Sequence, residues 1–154
     1  MSILVPSPAS ALRSTRIFSE NFESLADLLK PFESPSEKGG DGTDWTNLAP
    51  AGWTIINETP EGGPVEFHGW TFMDRHGWAE TPDDQQRSTF TYGDGVVAVA
   101  DADEYYDMTN PGYQVFNSTL LSPEIDIAGQ AAGTLYLSFD SSWRPEGEQE
   151  AVLT

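Results

Sequence analysis

The residues best equipped for chemistry stand in one string, Asp101-Ala102-Asp103-Glu104, which follows the apolar run Val96-Val97-Ala98-Val99-Ala100. In an extended chain, side chains two residues apart face the same side, so a continuing strand places Asp101 and Asp103 together. Hard cations such as calcium take about six to eight oxygen ligands from carboxylates, carbonyls and water. Glu20 or Glu23 from the acidic, aromatic segment near the N-terminus, or Asp140 from a later one, would complete a cage with that pair. The string is not an EF-hand, since it lacks the loop's glycine and closing glutamate. The competing reading is a solvated acidic loop, which a chain with 25 acidic residues would carry in any case. Asp41-Gly42-Thr43-Asp44 is a second candidate of the same kind.

Aromatic side chains are the next group. Indoles on a surface stack against the apolar faces of sugars, whereas buried indoles are large core residues. Trp53 stands near Ile55 and reads as core. Trp45 and Trp143 stand beside polar residues and are the candidate ligand-binding pair. The only two histidines sit in repeated triplets, His68-Gly69-Trp70 and His76-Gly77-Trp78. Acid–base catalysis would need a nucleophile or a paired carboxylate at hand, and no such pair is marked out. Packing and turn formation is the simpler reading of both triplets. Serine-nucleophile, P-loop and dinucleotide motifs are absent, so the expected class is non-catalytic.

Composition narrows the partners. The chain has 154 residues and a formal net charge of -18, with 25 acidic residues against 7 basic ones. That length suits one domain. The charge excludes the basic footprint of a nucleic-acid binder and attraction to anionic membranes. No apolar run is long enough to span a bilayer. With no cysteine, disulfides and thiolate metal sites are excluded. Ala9-Ser10-Ala11, after Ile3-Leu4-Val5, resembles a signal-peptidase site without the basic region that normally precedes one.

The elements that must position these residues are mostly short strands. Residues 1–14 are rich in Pro and Ser and read as a flexible arm, followed by one domain over residues 15–154. Thr15–Glu23 reads as a first strand, and Ser24 as the cap of a short helix over Leu25–Leu29 that stops before Pro31. Trp53–Asn57, Arg87–Tyr92 and Phe116–Leu121 read as further strands, and Ile125/Ile127 as a short edge strand. Phe67–Trp78 fits neither period and reads as a short helix or an irregular packed segment. Val96–Ala100 is β-branched and nearly continuous in its apolar character, which predicts a central strand. Leu135, Leu137 and Phe139 alternate along Thr134–Trp143, which predicts a half-buried strand. Glu150–Thr154 begins another strand, which calls for a hairpin partner in a longer protein, for a strand from another chain, or for a place at a sheet edge. The predicted fold is all-β: an antiparallel β-sandwich, or jelly roll, with one short helix and long loops.

One order of motifs carries a resemblance. It runs Glu20-Asn21-Phe22-Glu23, Pro50-Ala51-Gly52-Trp53-Thr54, Trp70, Val96-Val97-Ala98-Val99, Leu120-Leu121-Ser122-Pro123-Glu124-Ile125-Asp126-Ile127 and Leu135-Tyr136-Leu137-Ser138-Phe139-Asp140. From Phe18 to the C-terminus this resembles the cleaved-adhesin and MAM-like jelly-roll modules of secreted bacterial proteins. The resemblance implies a non-catalytic, calcium-binding module, secreted or on the cell surface, that takes a carbohydrate or protein ligand on a cell surface or matrix. Two alternatives stand beside it. One is a structural subunit whose copies exchange strands into an extracellular fibre. The other is an ancillary N-terminal domain of a secreted metal-dependent hydrolase, such as a phosphoesterase.

Overall fold

A computed structural model of the chain describes residues 15–34, 41–80, 85–107, 115–145 and 147–154. The expected N-terminal arm lies outside the described residues, and so do parts of the loops after Phe32, Thr81 and Asp107.

Among the described residues, five short strands form two open antiparallel sheets. The strands are β1 (Trp45–Thr46), β2 (Thr54–Asn57), β3 (Thr71–Asp74), β4 (Val96–Val99) and β5 (Ser118–Leu121). The larger sheet has the order β1-β3-β4, and the smaller pairs β2 with β5. Among the described residues there are also two short helices, α1 (Arg75–Glu80) and α2 (Ala102–Asp107), and 3₁₀ turns at Glu23–Leu28, Val65–Phe67 and Arg87–Thr89.

The core lies on both faces of the larger sheet. Met73 pairs with Val97 and Phe72 with Ala98 across β3 and β4. Trp45, Met73, Val97 and Val99 gather with Phe67 and Tyr105 in one cluster. Phe72 and Val96 gather with Leu25 in the other, against which Ile55 and Leu120 of the smaller sheet also pack. Burial on both faces is why β4 carries an almost unbroken apolar sequence.

The all-β sandwich expected from the sequence is corrected by this architecture. Strand makes up only 16% against 19% helix, in two small open sheets, with no jelly roll. One physical reason is that local capping starts helices where a sandwich would need its strands to run on. Asp74 Oδ2 accepts the Gly77 amide at 2.7 Å and starts α1. Asp101 Oδ1 accepts the Glu104 amide at 3.3 Å and starts α2. These are bonds from an N-cap side chain to the third helical residue, and they end β3 and β4 after four residues each. The valine strand is therefore an edge strand of the three, not a central one. Arg87–Thr89 is a 3₁₀ turn rather than a strand, and the expected first strand makes no ladder before the turn at Glu23–Leu28. The aromatic segment resolves into β3 followed by α1.

One glycine is required by close approach. Gly63 has φ +73°, and a Cβ there would stand 2.6 Å from the Tyr105 ring and 2.8 Å from its backbone oxygen. That ring is fully buried, and its hydroxyl donates to the Pro60 carbonyl. Gly63→Ala combines left-handed backbone strain with overpacking, so we expect a loss of about 2–3 kcal/mol of unfolding stability. Thermal and urea denaturation monitored by near-UV circular dichroism check this. A change within the scatter of surface substitutions would mean that the Tyr105 ring has room to retreat.

Candidate interaction surface

The carboxylates considered for calcium are distributed among separate tasks. Glu20 Oε1 accepts the amides of Asn21 and Phe22 at 2.9 and 2.7 Å. Glu23 Oε1 accepts the amide of Val96 at 2.9 Å and tethers the first 3₁₀ turn to the start of β4. Asp103 lies in the first turn of α2. Asp140 lies in an exposed segment outside any strand or helix. Among the described residues, no three His, Asp or Glu side chains gather into a group that could hold a metal ion. In the Asp41–Asp44 loop, Thr43 donates to Asp41 and holds its carboxyl below the usual carboxylate range. Asp44 is buried, and that burial raises its carboxyl.

Asp101 belongs to a buried ionic cluster that motif reading missed. Its Oδ2 accepts from Arg87 Nε at 3.1 Å, from Arg87 Nη2 at 2.8 Å and from the Trp78 indole at 3.3 Å. Arg87 Nη2 also donates to Glu104 Oε1 at 2.7 Å, and Gln85 Nε2 reaches the same oxygen at 3.0 Å. Arg87 and Glu104 are buried, and Nη1 of Arg87 makes no hydrogen bond among the described residues. One guanidinium thus faces two carboxylates. Burial pushes the Glu104 carboxyl up to about 7, against the opposing pull of Arg87. The cluster ties together three segments: α1 through Trp78, the Gln85–Thr89 turn, and the start of α2. Its signal in the sequence was Asp101-x-x-Glu104, the spacing of a capping box. Its other half, Arg87, is remote in the chain and carried no mark.

The two indoles singled out for ligand contact part company. Trp45 is 1% exposed; its Nε1 donates to the Pro31 carbonyl at 3.0 Å, and the Lys30 ammonium sits 4.2 Å from the ring centroid. It is a core residue. Trp143 is 52% exposed.

Trp143 belongs to a stretch with many exposed apolar side chains. Ile125, Ile127, Leu135, Leu137, Phe139, Val152 and Leu153 are all exposed on residues 122–154, and none of these residues belongs to a strand or helix. Within Thr134–Trp143, Leu137 is 71% and Phe139 63% exposed. After the turn that bonds the Thr134 amide to the Ala131 carbonyl at 3.2 Å, the backbone of residues 135–143 makes no hydrogen bond with the described residues. A segment with unpaired amides and carbonyls and with apolar residues at every second position of its sequence has what one side of a β-ladder requires. The expected strands at Ile125/Ile127, Thr134–Trp143 and Glu150–Thr154 are therefore not strands within this chain.

Comparison of the chain with protein-family models, curated proteins and solved structures finds no match.

Proposed function

We propose that the chain is a non-catalytic interaction module that binds a protein partner by strand addition along Thr134–Trp143. The observation that carries this reading is the exposed, unpaired backbone of that segment, whose sequence places Leu135, Leu137 and Phe139 at alternate positions. Strand addition uses main-chain hydrogen bonds for affinity and alternate side chains for specificity. Leu135, Leu137 and Phe139 supply one apolar row, and Tyr136 stands on the opposite face. Exposed apolar patches of this kind mark interaction sites in soluble proteins. The motif order, which resembles that of adhesin-like modules, would place this function at a cell surface or in a matrix.

Charge selects the partner. With a net charge of -18, two copies of this chain repel one another. A strand with apolar residues at alternate positions and Lys or Arg between them is complementary. Self-exchange into a fibre is the less favoured use of the same edge.

The test is an array of ten-residue peptides with alternating apolar positions and Lys, Thr or Glu between them. The Lys and Thr series are expected to bind, the Glu series more weakly, and versions interrupted by proline not at all. Binding should vanish in a Leu137→Lys/Phe139→Lys variant. Light scattering over a range of protein concentrations separates self-exchange, which would appear as concentration-dependent oligomers lost in that variant. Binding that persists in the variant, or a silent array with a monomeric protein, overturns the reading.

A further inference from the structure

The smaller sheet borders a cleft that the strand-addition reading does not use. Its volume is about 260 Å³, and it is lined by Asn47, Ile55, Asn57, Val65, His68 and Trp70. None of the six is Asp, Glu, Lys or Arg, so in a chain this acidic the cleft is a neutral spot. That argues against ions as ligands. The volume lies below the roughly 300 Å³ at which pockets for drug-sized ligands begin, which suits a single ring.

The walls are built in advance. Trp70 donates its indole N–H to the Ser118 carbonyl at 3.1 Å, and its amide to Ser118 Oγ at 3.0 Å, so both ring and backbone are pinned to β5. Asn57 donates from Nδ2 to the His68 carbonyl at 3.0 Å and accepts the Thr59 amide at 3.2 Å. It fits there because Gly69, at φ +89°, has no Cβ; one would stand 2.6 Å from the Asn57 carboxamide. His68 Nε2 lies 3.0 and 2.9 Å from the carbonyls of Thr59 and Pro60. Two acceptors require a proton on Nε2, which leaves Nδ1 as an acceptor in the neutral ring. Asn47 is exposed and its side chain makes no hydrogen bond among the described residues.

We propose that this cleft binds one neutral pyranose ring of a glycan. A pyranose has an apolar face for the indole, Ile55 and Val65 and a rim of hydroxyls for the amide groups, and this pairing of one aromatic wall with a few placed polar groups is how neutral polar rings are held. The site is separate from Thr134–Trp143, so it stands or falls independently of strand addition.

The experiment titrates the full chain with methyl glycosides of glucose, galactose and mannose, followed by ¹⁵N–¹H correlation spectra. At least one glycoside is expected to bind saturably and to shift the Trp70 indole N–H and the Asn47 and Asn57 carboxamide signals. Asn47→Ala should weaken binding about fivefold through loss of one hydrogen bond. Val65→Trp, which fills the cleft from an exposed position, should abolish it while leaving the remaining spectrum folded. The Leu137→Lys/Phe139→Lys variant should bind the glycoside unchanged. Absence of saturable shifts for all three glycosides overturns the proposal. So does saturation that Val65→Trp leaves intact, or peptides from the strand array shifting these signals in place of sugar.

Discussion

Replacing Arg87 with methionine is expected to lower unfolding stability by about 3 kcal/mol at a pH of about 8, because it leaves buried Glu104 and partly buried Asp101 without their cation. The hydrogen bonds lost are those from Nε and Nη2 to Asp101 and from Nη2 to Glu104. Small domains hold only about 5–15 kcal/mol in total, so the variant would sit near its unfolding threshold. Arg87→Lys should fall between, since an ammonium is a point charge and does not span two carboxylates as a planar fork does. The double variant Arg87→Met/Glu104→Gln should recover part of the loss, because it removes the uncompensated charge together with the cation. Urea denaturation of the four proteins gives the ordering. If Arg87→Met unfolds within about 1 kcal/mol of the parent, as exposed ion pairs do, water reaches the cluster and its burial does not govern stability.

The same residues explain how far the sequence could be read. Val96–Val99 was legible as a strand because β-branched side chains buried on both faces leave a continuous apolar run. Trp53–Asn57 and Phe116–Leu121 were legible too, and they pair as β2 and β5 from Thr54↔Leu121 to Asn57↔Ser118. The Asp101–Glu104 string was not legible as the start of a helix, because a capping box and the end of a strand look alike until the helix behind them is recognised. Ala102–Asp107 spans fewer than two turns, too short for its period to register. Trp45 was assigned to the surface from its polar neighbours, but Thr46 and Asp44 are buried with it, and Asp44 is held by the Phe32 amide at 3.4 Å. The C-terminal segment shows the deeper difference. A helix can be fixed by bonds within a few residues, whereas a strand belongs to a pair. Alternation at Leu135, Leu137 and Phe139 states only that the segment can pair. No ladder among the described residues takes it up.

Glu104 makes stability fall as pH rises, the opposite of the behaviour of a salt-bridged surface carboxylate. Its carboxyl is raised from 4.5 to about 7, burial being the largest cause. The groups facing it are Arg87, Asp101, Asp103 and the Gln85 amide. Arg87 favours the ionised form, while the two aspartates favour the protonated one. Between pH 4.5 and about 7 the native protein holds a proton that the unfolded chain has released. Stability from this group is therefore complete below pH 4.5 and is lost as pH climbs through about 7, after which the contribution is flat. The change is on the order of a few kcal/mol. Buried Asp44, also raised, adds in the same direction, and exposed Asp41, lowered, acts in the other. Glu104→Gln isolates the buried group, because a glutamine keeps the acceptor oxygen for Arg87 and Gln85 and cannot ionise. The variant should match the parent at a pH of about 5 and exceed it at about 8, so that the two stability curves separate as pH rises. Parallel curves would mean that Glu104 titrates as it does in the unfolded chain, and that Arg87 balances both of its carboxylates.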